Sequence, residues 1–312
     1  MTHCRQYQTE NRRTVFKKIN NEDAFVNIFL VYVRDEDYYR FLPEELGGSK
    51  PDDKRLKVMA FPPLGIETLA PVVRQHGNRV RMFDTCHPQM NPQHIAQAVE
   101  EEQPEVIALS FLSTTTYPPV KDLAKRLKMV APNTPIILGG VFASMNSVHI
   151  LKDCRYADCV GVGEGEELLP DYLNNLNNPG NVAGLVWRKG DEIIQNEPRP
   201  LIRDLNKFPY PDRESLPIDY IESLPLDVPA VLSLDKFCTV QTSRGCPYGC
   251  IYCDIPSLFN SKWRHRSAEH VLGEMQQLNN AGYRSIYLTD DHFLLKRKRI
   301  TEICNGIIEG GL

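Results

Sequence analysis

The sequence has no long hydrophobic run. In 312 residues the longest apolar stretch is Ile28-Phe29-Leu30-Val31-Tyr32-Val33, far short of the roughly twenty residues of a membrane span, so no transmembrane helix is expected. A surplus of charge is missing as well. Thirty-six Lys and Arg against 40 Asp and Glu leave a net charge of −4, which gives no global attraction to nucleic acid or to an anionic membrane. Residues 1–22 are polar and without hydrophobic period; they lack the apolar core of a secretion signal and read as a disordered lead-in. The nine cysteines are an odd number, whereas a disulfide framework uses an even one. Free thiols in a reducing cytoplasm are the expectation.

What is present is alternation. Short β-branched and aromatic runs at 24–33, 79–83, 106–111, 135–138 and 157–162 read as buried strands. Between them lie amphipathic stretches: one opened by Pro62-Pro63 and stopped by Gly77, one over 92–101, one over 118–130, and one starting at Glu166-Glu167. This is the pattern of an open, doubly wound α/β domain, whose ligands bind beyond the carboxyl ends of the strands. Those ends carry Ser110-Phe111-Leu112-Ser113-Thr114-Thr115-Thr116, then Gly139-Gly140-Val141-Phe142-Ala143-Ser144, then Gly163-Glu164-Gly165-Glu166. Hydroxyls and glycines there suit close approach of a large ligand; they also suit plain strand endings and a helix cap.

Residues 184–196 read as a hairpin turning at Lys189-Gly190-Asp191, with Trp187 as a packing residue. Seven prolines at 198, 200, 209, 211, 217, 225 and 229 mark a stiff connector. Beyond it come a strand at 237–241, a helix capped by Ser267, and a strand at 285–289 that ends in Asp290-Asp291-His292-Phe293. A carboxylate pair at the end of a parallel strand faces the active side of an α/β barrel, or caps a turn. The last helix is expected to turn Ile300, Ile303, Cys304, Ile307 and Ile308 inward, behind a solvated start at Lys296-Arg297-Lys298-Arg299.

The most specific signal is Thr242-Ser243-Arg244-Gly245-Cys246-Pro247-Tyr248-Gly249-Cys250-Ile251-Tyr252-Cys253, with three cysteines at the spacing C-x3-C-x2-C. Three thiolates on one short loop hold three irons of a four-iron cluster and leave the fourth iron open. A zinc site wants a fourth ligand at a paired spacing, and the neighbouring cysteines, Cys238 and Cys304, stand outside the loop.

This loop resembles the cluster loop of the radical S-adenosylmethionine (SAM) superfamily, down to Tyr252 and the Arg-Gly-Cys-Pro opening. The resemblance implies a [4Fe–4S] cluster on Cys246, Cys250 and Cys253, with SAM chelated at the open iron and cleaved to a 5′-deoxyadenosyl radical. It also implies that Tyr252, Asp290 and Asp291 lie beside SAM. The first half is similar to the cobalamin-binding domain that precedes many radical SAM enzymes. Pro-Pro-Leu-Gly-Ile-Glu-Thr-Leu-Ala at 62–70, Val-Arg-Met-Phe-Asp at 80–84, the Ser110/Ser113 loop, the Gly139-Gly140 corner and Val-Gly-Glu-Gly-Glu at 162–166 carry that likeness. By resemblance, Ser110, Ser113, Thr114, Gly139, Gly140, Gly163 and Glu164 surround cobalamin. The loop 34–51 holds no histidine, and Asp84 and His87 stand at D-x-x-H in a different loop. His87 therefore reads as a surface residue, and cobalt is expected to lack a protein imidazole.

The implied architecture is α/β. A flavodoxin-like, doubly wound parallel sheet of cobalamin-binding type covers 23–182, a hairpin and Pro-rich connector 183–232, and an incomplete radical SAM (β/α) partial barrel 233–312. Leu205 to Pro211 is similar to the family's linker. Two strand–helix units stand where the family has six, so a C-terminally truncated chain is expected. The implied activity is cobalamin-dependent methyl transfer or cyclisation at an unactivated carbon of an unidentified small molecule. It is closest to radical SAM methyltransferases and the anaerobic magnesium-protoporphyrin IX monomethyl ester cyclase, and it is fed by an electron donor such as flavodoxin or ferredoxin. The alternatives are a first domain that has lost cobalamin, or a non-catalytic cobalamin-binding fragment.

Overall fold

The computed structural model describes residues 25–34, 61–85, 90–216 and 236–312. The lead-in 1–22, most of the loop 34–51 and His87 fall outside these residues. The chain forms two compact units, Met1–Arg34 with Val72–Pro200 and Asp35–Pro71 with Leu201–Leu312.

In the first unit the elements run β1 (Asn27–Tyr32), α1 (Leu64–Gln75, divided between the units at Pro71), β2 (Arg79–Asp84), α2 (Pro92–Glu102), β3 (Val106–Ser110), α3 (Tyr117–Val130), β4 (Ile136–Gly139), α4 (Val141–Asp153), β5 (Cys159–Gly161), α5 (Gly165–Asn174), β6 (Leu185–Lys189) and β7 (Glu192–Gln195). The sheet order is β2-β1-β3-β4-β5-β6-β7, and its first five strands are parallel. The order 2-1-3-4-5 is the flavodoxin-like one. Both faces are covered. Phe29, Val31, Ile107, Leu109, Ile136 and Leu138 share a core cluster with residues of α2, α3 and α4, while Ile28, Leu30 and Ile137 are buried on the alternate face. Burial of successive residues writes the continuous apolar runs of parallel strands.

Two features differ from the sequence reading. The hairpin 184–196 is not a free connector, because β6 pairs antiparallel with β5 and extends the sheet; the Trp187 indole donates to Asn196 Oδ1 at 3.0 Å. A further helix, α4, follows Gly140 where a loop was expected. It is broken at Asn146 (φ −126°, ψ 21°), and only Ala143, Ile150 and Leu151 are buried, so it carries no helical stripe for periodicity to detect.

Gly140 sets the corner from which α4 departs. Its φ is +100°, and a Cβ there would overlap the carbonyl oxygen of Phe111. Gly140→Ala is expected to destabilise the chain by about 1–3 kcal/mol through backbone strain alone, seen as a lowered Tm of the first unit.

The second unit contains β8 (Phe237–Val240), β9 (Ser243–Arg244), α6 (Ile255–Leu258), β10 (Arg264–His265), α7 (Ala268–Asn280), β11 (Ser285–Leu288) and α8 (Arg297–Gly310). β8 and β11 are parallel, and β9 and β10 form a small antiparallel pair. Ser267 caps α7 by accepting from the His270 amide at 3.1 Å. Val271, Met275 and Ile303 make one buried cluster, and Cys238, Val240 and Leu278 another. The inward face of α8 is corrected by the structure. Arg299, expected in solvent, is buried with Ile303, whereas Cys304 and Ile308 are exposed. Arg299 and Ile303 are one turn apart on the same face, and that phase turns Cys304 and Ile308 outward.

The edge of β8 that faces away from β11 is covered by guanidinium groups. Arg213 donates to Thr239 O, and Arg266 donates to Gln241 O at 2.9 Å. Arg213 is also paired with Glu67 and, at 3.4 Å, with Glu274, which in turn meets Arg266 at 2.5 Å. Glu67 and Glu274 are each only 2% exposed. Burial alone would lower the Arg213 pKa, but the charges of Glu67 and Glu274 outweigh it and hold the group above its ordinary value.

Candidate functional site

The cysteine loop leaves the carboxyl end of β8. Thr242 and Ser243 are fully buried, and both are bound to Asp290 just beyond β11. Asp290 Oδ1 accepts from the Thr242 amide at 2.6 Å, and Oδ2 from the hydroxyls of Thr242 at 2.5 Å and Ser243 at 2.6 Å. Asp291 Oδ2 accepts from the Gly245 amide at 2.7 Å. Desolvation, the largest cause, raises the Asp291 pKa, and the Asp290 charge adds to the rise. Gly245 has φ +84°, and a Cβ there would overlap the Lys262 carbonyl oxygen. The backbone thus enters Cys246 through a conformation that favours glycine.

Beyond Gly245 the loop faces outward. Cys250 is exposed, and Cys246 and Cys253 are half-buried free thiols. The Cys253 amide donates to Cys250 O at 3.1 Å, closing a turn between the two. Tyr252 is 87% exposed; its hydroxyl pKa is raised by a hydrogen bond to the Cys250 thiol and by that group's charge. The Tyr248 ring lies 5.4 Å from His292. Cys238 faces the helix side within β8, where burial pushes its thiol up to about 12. It is thereby kept protonated and unreactive. Among the described residues no group of three His, Cys, Asp or Glu side chains is gathered to hold a single metal ion. The donor set that remains is three thiols within eight residues, none in a disulfide, which fits a multi-iron cluster spread across a loop.

At the carboxyl ends of the first unit's strands, Tyr32, Ser110 and Gly139 stand side by side by register. Ser113 and Thr116 bond reciprocally, amide to Oγ1 at 3.2 Å and Oγ1 to carbonyl at 2.8 Å, ahead of α3. The hydroxyl run therefore caps its own turn, while Thr114 stays exposed. Ser144 donates to Gly140 O at 2.9 Å and accepts from the Gly163 amide at 3.0 Å, joining the second and third loops. Ser144 belongs to the strand-end segment read from the sequence but is not among the residues that the resemblance places at cobalamin; the structure puts it inside α4. A Cβ added at Gly139 or Gly163 meets nothing within 4 Å, and Leu112 and Met145 are exposed there. Open space flanked by glycine, hydroxyl and apolar groups fits a large amphipathic ligand. At the end of β1, Arg34 makes a two-point ion pair with the fully buried Asp84, at 2.7 and 2.5 Å.

The model of the B12 binding domain matches residues 59–173, and that of the Radical SAM superfamily matches residues 240–309. The chain carries a B12 binding domain followed by a Radical SAM domain. Among curated proteins it is 29% identical to an uncharacterised methyltransferase of Pyrococcus horikoshii, over 83% of this chain and 55% of the relative. It is 25% identical to the anaerobic magnesium-protoporphyrin IX monomethyl ester cyclase of Cereibacter sphaeroides, over 81% and 41%. The chain thus spans about half the length of the curated relatives it matches. Among solved structures, the cobalamin-dependent S-adenosylmethionine radical enzyme OxsB, with aqua-cobalamin and S-adenosylmethionine bound, superposes with a TM-score of 0.69 at 19% identity, covering 92% of this chain and 37% of that one. The likeness supports the α/β fold of this chain. No described helix is long and apolar enough to cross a membrane.

Proposed function

We propose that this chain is the cobalamin-handling and SAM-cleaving part of a radical SAM methyltransferase or cyclase. The observation that carries the reading is the loop of three free thiols beyond β8, in a segment that the Radical SAM superfamily model matches. Cys246, Cys250 and Cys253 would hold a [4Fe–4S] cluster, and Ser110, Ser113, Thr114, Gly139, Gly140, Gly163 and Glu164 would border cobalamin. When bound, the cluster supplies the electron that cleaves SAM, and cobalamin serves as the methyl carrier or assists ring closure. The remaining roles belong to the chain's own groups. Asp291, whose Oδ1 has no protein partner among the described residues, is the carboxylate we assign to the SAM amino group. Both oxygens of Asp290 are already engaged. Tyr252 offers an exposed ring beside Cys250 against which SAM can rest. A reducing compartment and a low-potential electron donor such as flavodoxin or ferredoxin belong to the same reading.

Anaerobic reconstitution with iron, sulfide and hydroxocobalamin, followed by addition of SAM and reductant, tests it. Cluster and corrin absorbance together with SAM cleavage are expected. A cluster without corrin removes cobalamin from the account, and corrin without a cluster removes the radical chemistry. The first unit has its own test. Gly139→Leu places a side chain in the open space above β4 and is expected to weaken hydroxocobalamin binding at least about tenfold while leaving Tm unchanged. Undiminished corrin retention on gel filtration would move the cobalamin site away from this rim.

A further inference from the structure

We propose that Asp290, Arg266 and Arg299 are positioning residues that clamp the backbone entering Cys246 and set the loop's shape before any cluster is present. The proposal rests on the reading of Cys246, Cys250 and Cys253 as cluster ligands. Its centre is Thr242, which is held from two sides by opposite charges. Asp290 Oδ1 takes its amide at 2.6 Å, and Arg299 Nη2 donates to its carbonyl at 2.8 Å. The Thr242 hydroxyl donates to Asp290 Oδ2 at 2.5 Å, and the Arg266 amide also donates to the Thr242 carbonyl, at 2.9 Å. Every polar group of this fully buried residue is thereby satisfied.

The neighbours are tied in the same way. Arg266 Nη1 holds Gln241 O at 2.9 Å, and Ser243 Oγ donates to Asp290 at 2.6 Å. Arg299 Nε donates to Arg266 O at 2.9 Å, so the two guanidinium-bearing residues are linked to each other. Arg299 is 4% exposed and has no ion pair among the described residues. It lies in the first turn of α8, where a cation opposes the helix dipole. Burying a cation on carbonyl oxygens at the positive end of a helix is costly, and stability alone would favour an apolar side chain there. What the arrangement provides is a fixed approach to Cys246, three residues beyond Ser243. A loop ordered in advance spares the chain the entropy of ordering it when the cluster is captured.

The test uses the full chain, purified without its cluster, and amide hydrogen exchange of residues 240–246. The proposal expects the Thr242 amide to be protected in the cluster-free protein, and equally protected in Cys246→Ala. Asp290→Asn is expected to speed its exchange about tenfold or more and to lower the iron incorporated on reconstitution, while exchange in β3 and α3 does not change. If Asp290→Asn unfolds the second unit, Thr242→Val and Thr242→Ser decide: Val loses the hydroxyl contact and is expected to speed exchange at residues 242–245, and Ser restores protection. A Thr242 amide that exchanges freely in the cluster-free wild type, or variants that exchange at the wild-type rate, would overturn the clamp and leave the ligand assignment standing. Protection in the cluster-free chain with no cluster on reconstitution would overturn the ligand assignment and leave the clamp.

Discussion

Replacing Arg213 by alanine is expected to cost about 3–5 kcal/mol, because it breaks a buried ionic group by removing one of its members. The Arg213 side chain is 6% exposed, and its guanidinium is shared between Glu67, Glu274 and the carbonyl of Thr239 on the edge of β8 away from β11. Without it, the buried Glu67 carboxylate loses this ion pair. Glu274 keeps Arg266, so the loss concentrates on Glu67 and on the strand edge. The double variant Arg213→Leu/Glu67→Leu, which removes both charges, is expected to be markedly less destabilised than Arg213→Ala alone. The sequence has two tryptophans, Trp187 on β6 and Trp263 beside β10. In a Trp187→Phe background, Trp263 fluorescence follows unfolding of the second unit on its own. Equal stability of Arg213→Ala and wild type in that measurement would show that the buried group contributes nothing.

Gly245→Ala is expected to act on the loop itself. The left-handed conformation costs a non-glycine residue about 1–3 kcal/mol. The added methyl group also meets backbone, the carbonyl of Lys262, and the Cβ of Phe259 at 3.1 Å; neither swings aside as the end of a flexible side chain would. The turn must open, and the hydrogen bond from the Gly245 amide to Asp291 goes with it. Loss of most of the iron bound on reconstitution is expected, with near-wild-type corrin binding by the first unit. Gly245→Ala with full iron content would show that the approach to Cys246 is not constrained as the structure describes.

The elements within the two units were legible in the sequence to different degrees, for physical reasons. The strands of the first unit are buried on both faces, and that burial appears as contiguous apolar runs whose bounds differ from the observed ones by only a few residues. The three thiols were legible because their spacing is local. What escaped is what long-range contacts decide. Asp290 reaches Thr242 across 48 positions, and Arg213 reaches Glu67 across 146; no periodicity records either. Arg299 sits in a run of four basic residues that looks solvated, and only the phase of α8 against α7 turns it inward. Helix α4 was hidden behind a Gly-Gly corner because few of its residues are buried.

The central claim is that Cys246, Cys250 and Cys253 hold a four-iron cluster with one iron open to SAM. The direct measurement is iron and sulfide content, with the electron paramagnetic resonance spectrum of the reduced protein, after anaerobic reconstitution of wild type and Cys250→Ala. The account predicts about four iron and four sulfide per wild-type chain, a spectrum that changes when SAM is added, and no stable cluster in Cys250→Ala. Equal iron and identical spectra in the two proteins, indifferent to SAM, would contradict it.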